Sequence, residues 1–223
     1  MIVITSLLRT ADGQKPGTLE RALRHNAVEI VQQAPEVLAG TANLVTDKAQ
    51  RGVTLPRSTV DADAFLQLWF ADLNAANAFA AGERGRALRR LLDTVSPGGE
   101  ELLILQNRVI EPGDKARLKR MSTLGRKPGV SFNTFQREWF GLHEPLVRRV
   151  PQMTGYVQNL VLNISGPARS EPLPVQGIVE LWFEDLDTLA AGYDQPIART
   201  LMAHGMEFIS EITTFLVEPV AIK

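Results

Sequence analysis

The chain has no cysteine among its 223 residues, so disulfides, thiolate catalysis and cysteine-ligated metals are excluded. Histidine is nearly as scarce: His25, His143 and His204 are too few and too scattered for a histidine-rich zinc site. No basic surplus exists either, since 24 Lys and Arg stand against 25 Asp and Glu, which argues against a nucleic-acid binder. No apolar run approaches the roughly 18 residues of a membrane span. Gly-rich phosphate loops are missing; Pro97-Gly98-Gly99-Glu100 reads as a turn. The opening Met1–Leu8 is apolar, but no basic segment precedes it and Arg9 ends it, so it reads as a strand rather than a leader. The expectation is a cytoplasmic, cofactor-free protein that meets neither membrane nor nucleic acid, as a monomer or homodimer. Its length and 44% hydrophobic content suffice for one large unit or two of about 110 residues.

What the chain does have is internal repetition. Leu66-Gln67-Leu68-Trp69-Phe70-Ala71-Asp72-Leu73 returns 113 residues later as Val179-Glu180-Leu181-Trp182-Phe183-Glu184-Asp185-Leu186. Gln14-Lys15-Pro16-Gly17 returns as Arg126-Lys127-Pro128-Gly129, at a distance of 112. Asn43-Leu44-Val45 returns as Asn159-Leu160-Val161 and Pro35 as Pro151, both at 116, and Glu111-Pro112 matches Glu218-Pro219 at 107. We read residues 1–112 and 115–223 as two copies of one unit, joined through residues 111–116.

The second copy shows the unit's pattern most clearly. Arg117–Met121 suggests a strand that leads to a Pro128-Gly129 turn. Ser131 or Asn133 caps a helix whose apolar face is Phe135, Trp139, Leu142 with His143, and Leu146, and Pro151 stops it. Tyr156–Asn163 is the second strand, Ser165–Pro174 a loop, and Gly177–Phe183 the third strand. Asp185 caps a second helix running towards Met202, and Ile212–Val220 closes the unit. The order β-α-β-β-α-β is ferredoxin-like, an antiparallel four-stranded sheet with its helices on one face. Because the strands are apolar at most positions, the bare face also needs cover. Two fused copies supply it by packing sheet against sheet into a barrel within one chain. The fold class is therefore α+β.

Trp139 and His143 lie four apart, so a helix places indole and imidazole on one side beside Phe135. Imidazole titrates near neutrality and moves protons in either direction; the competing role is a packing histidine bonded to backbone. In the first copy the matching positions hold Leu23 and Ala27, with Gly40 at Tyr156, and the drift in spacing implies a first helix one turn shorter. Specialisation of the second half as the site, with the first as scaffold, accounts for that loss. Glu180 sits between apolar strand neighbours: buried it would act as an acid, but an outward-facing residue is the favoured reading. His204 reads as a helix-end cation suited to the dipole, His25 as solvated, and the cluster at Arg84, Arg86, Arg89 and Arg90 as surface.

Arg126-Lys127-Pro128-Gly129, the Trp139-x-x-x-His143-x-Pro145 helix, Tyr156-Val157-Gln158-Asn159 and Gly177–Phe183 together resemble the EthD family of dimeric α+β barrels. The resemblance implies a cavity between sheet and helices for small, often aromatic or polyketide-like molecules, in a group that includes cofactor-independent monooxygenases, isomerases, cyclases and decarboxylases. Carried to this chain, it makes His143 the proton-transfer residue or a substrate hydrogen-bond partner, Trp139 the cavity wall, and Tyr156 and Asn159 orienting groups; we take His143 and Tyr156 as the catalytic candidates and add Phe135, Glu180 and Trp182 as substrate-binding candidates. Successive strand residues point to opposite faces, so Tyr156 and Asn159 share the cavity only if the strand bulges; Tyr156 is preferred. Two alternatives stay open. One is a binding or accessory protein that needs no titrating His143, and the other is a haem barrel with His143 as axial ligand.

Overall fold

The computed structural model describes residues 1–166 and 173–223, so most of the expected Ser165–Pro174 loop lies outside the described residues. The first half runs β1 (Ile2–Leu8), α1 (18–32), β2 (Val37–Asp47), β3 (Ala64–Phe70), α2 (Leu73–Ala81), α3 (Glu83–Val95) and β4 (Glu100–Ile110). The second runs β5 (Leu118–Arg126), α4 (132–147), β6 (Gly155–Ser165), β7 (Gly177–Phe183), α5 (Leu186–Tyr193), α6 (Pro196–Phe208) and β8 (Ile209–Ala221).

The eight strands close into one antiparallel barrel in the order β1-β3-β2-β8-β5-β7-β6-β4. Each half contributes four adjacent strands, and the seams are the β2–β8 and β4–β6 pairings. Closure leaves no unpaired edge to invite aggregation. It also explains why β3 is buried at every position: one face lines the barrel and the other lies under helices. The α+β barrel expected from the residue pattern is what forms.

Strand register gives residue-by-residue correspondences between the halves. Arg120 stands opposite Leu181 as Ile4 stands opposite Leu68, and Tyr156 faces Leu181 as Gly40 faces Leu68. Several local expectations need correction. The first helix is not a turn shorter: α1 has 15 residues and α4 has 16, so most of the drift falls in the flanking turns. The Glu111-Pro112 match to Glu218-Pro219 does not survive either, because Lys119 pairs with Val217 as Val3 pairs with Ile104. Asp185 does cap a helix, through a capping box with Thr188, but that helix ends at Tyr193. Pro196 then starts another, as its missing N–H costs nothing in a first turn. The strand expected at Arg117–Met121 extends to Arg126.

Inside the barrel the apolar core of Val3, Phe65, Ile104, Met121, Ile178 and Phe215 surrounds a belt of polar groups. Glu180 lies there, 2% exposed, and not outward as favoured from its strand. Lys119 Nζ is 2.6 Å from its carboxylate, and Gln67 Nε2 and Asn159 Nδ2 each donate to it at 2.8 Å. Burial raises the Glu180 pKa, but the charge of Lys119 and these hydrogen bonds outweigh it and hold the carboxyl below its ordinary value. It is thus an anion rather than an acid. Asn43 and Asn159 make matching bonds, to the Phe65 and Ile178 carbonyls and to Gln67 and Glu180 respectively. None of these five side chains is left without a hydrogen-bond partner, which is what a buried network requires.

Candidate functional site

Outside the barrel wall, the two halves use the space between sheet and helices differently. In the first half that space is filled by Leu19, Leu23, Ala27, Leu66, Leu68, Leu88 and Leu92, with Ile222 from the C-terminus wedged beside Gly40. The second half holds a cavity of about 40 Å³ at the corresponding place, walled by Trp139, His143, Tyr156, Arg120, Ser122 and Met202 among others.

Helix α4 begins at Ser131, whose hydroxyl accepts the Thr134 N–H at 3.1 Å; Ser131, not Asn133, is the cap. Its middle, Glu138–His143, is a π-helical turn, as is Ala22–Ala27 in α1. The wider turn brings residues five apart into one column. Trp139 and Phe135 are both buried, with ring centroids 5.5 Å apart, and Phe135 packs edge-on against Phe208. Phe135 therefore backs the Trp139 wall without lining the cavity. Gly177 on β7 makes room for the indole: a β-carbon there would lie 2.4 Å from it. The first-half counterpart, Ala64, carries the β-carbon that Gly177 lacks, and the position matching Trp139 holds the smaller Leu23.

His143 is 8% exposed, and its partner is His204 on α6, Nδ1 to Nδ1 at 3.1 Å with the rings stacked at 21°. His204 Nε2 lies 3.5 Å from Glu138 Oε2. His204 is thus not the helix-end cation expected from its position. It sits within α6, which runs on to Phe208, and bridges a buried imidazole to a carboxylate. Burial, with a smaller repulsion from His204, pulls the His143 pKa down to about 3, so its imidazole is neutral at physiological pH. Hydrogen bonding from Arg137, and less so from His204, keeps Glu138 below the ordinary carboxyl value. The Tyr156 phenol is fully buried and pushed well above its ordinary value; its oxygen accepts a hydrogen bond from Gln158 Nε2 at 2.8 Å. That amide also donates to the Trp139 carbonyl at 2.9 Å, tying β6 to the π turn.

Of the residues singled out from the sequence, His143, Tyr156 and Trp139 meet at this cavity. Asn159, Glu180 and Trp182 do not. Without a bulge at that point, β6 sends Tyr156 to the helix side and Asn159 into the barrel. Trp182 lies at a barrel mouth with Trp69, in a recess of about 200 Å³ where Lys119 sits 4.9 Å from its ring. Sequence reasoning missed Glu138, His204 and Arg120. A signal existed for the last: Lys119-Arg120 puts two adjacent cations on opposite faces of a strand buried on both.

Residues 127–212 match the EthD domain. No curated protein matches the chain. Among solved structures the fold is similar to an anthrone oxidase-like protein, with TM-score 0.66, 13% identity, and 99% of this chain and 93% of that one covered. It is also similar to a monooxygenase candidate from Fusobacterium nucleatum, with TM-score 0.61, 7% identity and 100% and 92% covered. A chlorite dismutase variant from Candidatus Nitrospira defluvii follows, at TM-score 0.51, 12% identity and 97% and 91% covered. These likenesses show the α+β-barrel fold. Among the described residues no helix is long and apolar enough to cross a membrane, and no group of three or more His, Asp or Glu is placed to hold a metal ion.

Proposed function

We propose that the EthD-type half is a small-molecule enzyme that moves a proton at its cavity without a bound cofactor, with His143 as the base and the first half as scaffold. The observation that carries this is the His143–His204–Glu138 chain. With Glu138 ionised and accepting from His204 Nε2–H, His204 Nδ1 accepts from His143 Nδ1–H. That tautomer leaves the lone pair of His143 Nε2 for a substrate proton. The charge that develops on His143 is then spread towards a carboxylate. Trp139 and Tyr156 supply the aromatic wall and an un-ionised phenol.

Burial that keeps the imidazole neutral also makes it a weak base, so it suits only a strongly activated C–H or O–H, as in isomerisation, cyclisation, decarboxylation or the first step of a cofactor-free oxygenation of an aromatic ketone or phenol. The cavity now takes only water-sized molecules, so a ring enters by displacing the half-buried Val53, Tyr193 and Met202. A porphyrin does not fit a cavity of about 40 Å³ with the Phe208 and His204 rings packed against His143. The accessory-protein reading calls for His143 bonded to backbone, and it is bonded to His204 instead, although the cavity wall is mostly apolar.

The test is deuterium exchange from D2O into the acidic C–H of small aromatic ketones and lactones. His143→Ala should lose about 10²–10⁴-fold of the exchange rate while the fold persists. Equal exchange by both proteins would contradict the assignment.

A further inference from the structure

Arg120 is not used by this chemistry, yet it is the most demanding group in the cavity wall. It is 2% exposed and, among the described residues, has no carboxylate partner. Its Nη1 donates to the Arg51 carbonyl at 2.7 Å, its Nη2 to the Tyr193 hydroxyl, and its guanidinium lies 4.6 Å from the Tyr193 ring. The Nε–H is buried with no acceptor, and the Ser122 hydroxyl two residues along the same face is also buried without a partner. A buried cation balanced only by neutral groups is costly, and one left with an unused donor more so. In the first half the corresponding residue is Ile4, so the fold does not require a charge there.

We propose that Arg120 and Ser122 form an oxyanion site in the second-half cavity, which binds the carboxylate, enolate or phenolate oxygen of an organic anion. This deepens the proton-transfer reading and rests on it for the cavity's role, but its chemistry is separate. With His143 neutral, Arg120 is the cavity's net charge, so an anion is the complementary ligand. Where a substrate loses a proton to His143, the negative oxygen so formed would meet a cation already in place. The first half participates: its segment between β2 and β3 delivers the Arg51 carbonyl that holds the guanidinium, and Val53 to the cavity wall. That segment is pinned along β8 by Gln50 Nε2 to the Ile212 carbonyl at 2.6 Å and by the Ile212 N–H to the Pro56 carbonyl at 2.9 Å.

The experiment follows the Arg120 Nε–H resonance of the intact protein during titration with acetate and benzoate, against acetamide and benzamide as uncharged controls. Acetate is the smallest organic probe of the site, and benzoate tests how far the mouth opens. Both anions should shift the resonance and bind at least about tenfold more tightly than the amides, as a charge-assisted bond requires. Ser122→Ala should weaken the anions several-fold with folding unchanged, and Arg120→Met should erase the preference for anions. His143→Ala should leave anion binding intact, which separates this proposal from the acid–base one. Equal binding of acid and amide, or an unmoved Nε–H resonance at saturation, would overturn it.

Discussion

The two halves present the same strands in the same register, yet they differ in what lies between sheet and helices. Where the second half has Arg120, Glu138, Trp139, His143, Tyr156, Gln158 and His204, the corresponding positions hold Ile4, Ala22, Leu23, Ala27, Gly40, Ala42 and Leu91. The first set carries polar groups into the interior, and the second closes into an apolar core. Buried polar groups are tolerated only with partners and at a cost. The first half shows that this architecture is stable without them. In the proposed reading their presence in the second half serves chemistry rather than folding. The barrel interior teaches a different lesson, because both halves contribute to one polar belt, whose ion pair cannot lose one partner without the other.

The largest effect should come from that shared belt. Lys119→Ala strands the Glu180 anion and should cost about 3–5 kcal/mol in urea unfolding. The double variant Lys119→Val with Glu180→Gln installs the first half's own residues, Val3 and Gln67, and should recover most of that loss. Failure to recover would mean that the belt is not interchangeable between halves.

Acid should act next, and between pH 7 and 4 chiefly through His143 in the second half. The folded pKa of His143, about 3, lies below its ordinary 6.5, so the unfolded chain takes up a proton that the folded chain refuses. The stability contributed is present above pH 6.5 and lost as pH falls towards 3. At about 1.4 kcal/mol per unit, lowering the pH from 7 to 4 should cost the native protein about 3 kcal/mol more than His143→Ala. Parallel stability curves for the two proteins would place the histidine in solvent.

Packing gives a smaller contrast. Gly177→Ala thrusts a methyl against Trp139 and should cost about 1–3 kcal/mol, whereas Ala64→Gly at the corresponding first-half position should cost about 1 kcal/mol or less. Similar losses at the two positions would show that the indole pocket is not specific to the second half. Last, Ser6 and Ser122 correspond on β1 and β5. Alanine at either should change stability by about 0.5 kcal/mol or less, but only Ser122→Ala should alter anion binding.

The barrel was legible because apolar strands with two faces to cover, and two similar halves, leave few other ways to bury surface. His143, Trp139 and Tyr156 were legible from helical spacing and from what replaces them in the first half. Glu138 was not, since the π turn puts it in a column that 3.6-residue periodicity does not contain. His204 was misplaced because the length of α6 was underestimated, which put the residue at a helix end. Glu180 was turned outward because alternation alone does not say which face of a barrel strand is drier. Arg120 was passed over because a charged strand residue is ordinarily exposed; its burial depends on a segment from the other half, a contact that local pattern does not carry.

The most direct test is a 15N NMR titration of the His143 and His204 rings, without ligand. The account predicts that His143 stays neutral down to about pH 4 while its Nδ1 remains bonded to His204. A His143 that takes up a proton near 6.5 would contradict the neutral buried base on which the proposed chemistry rests.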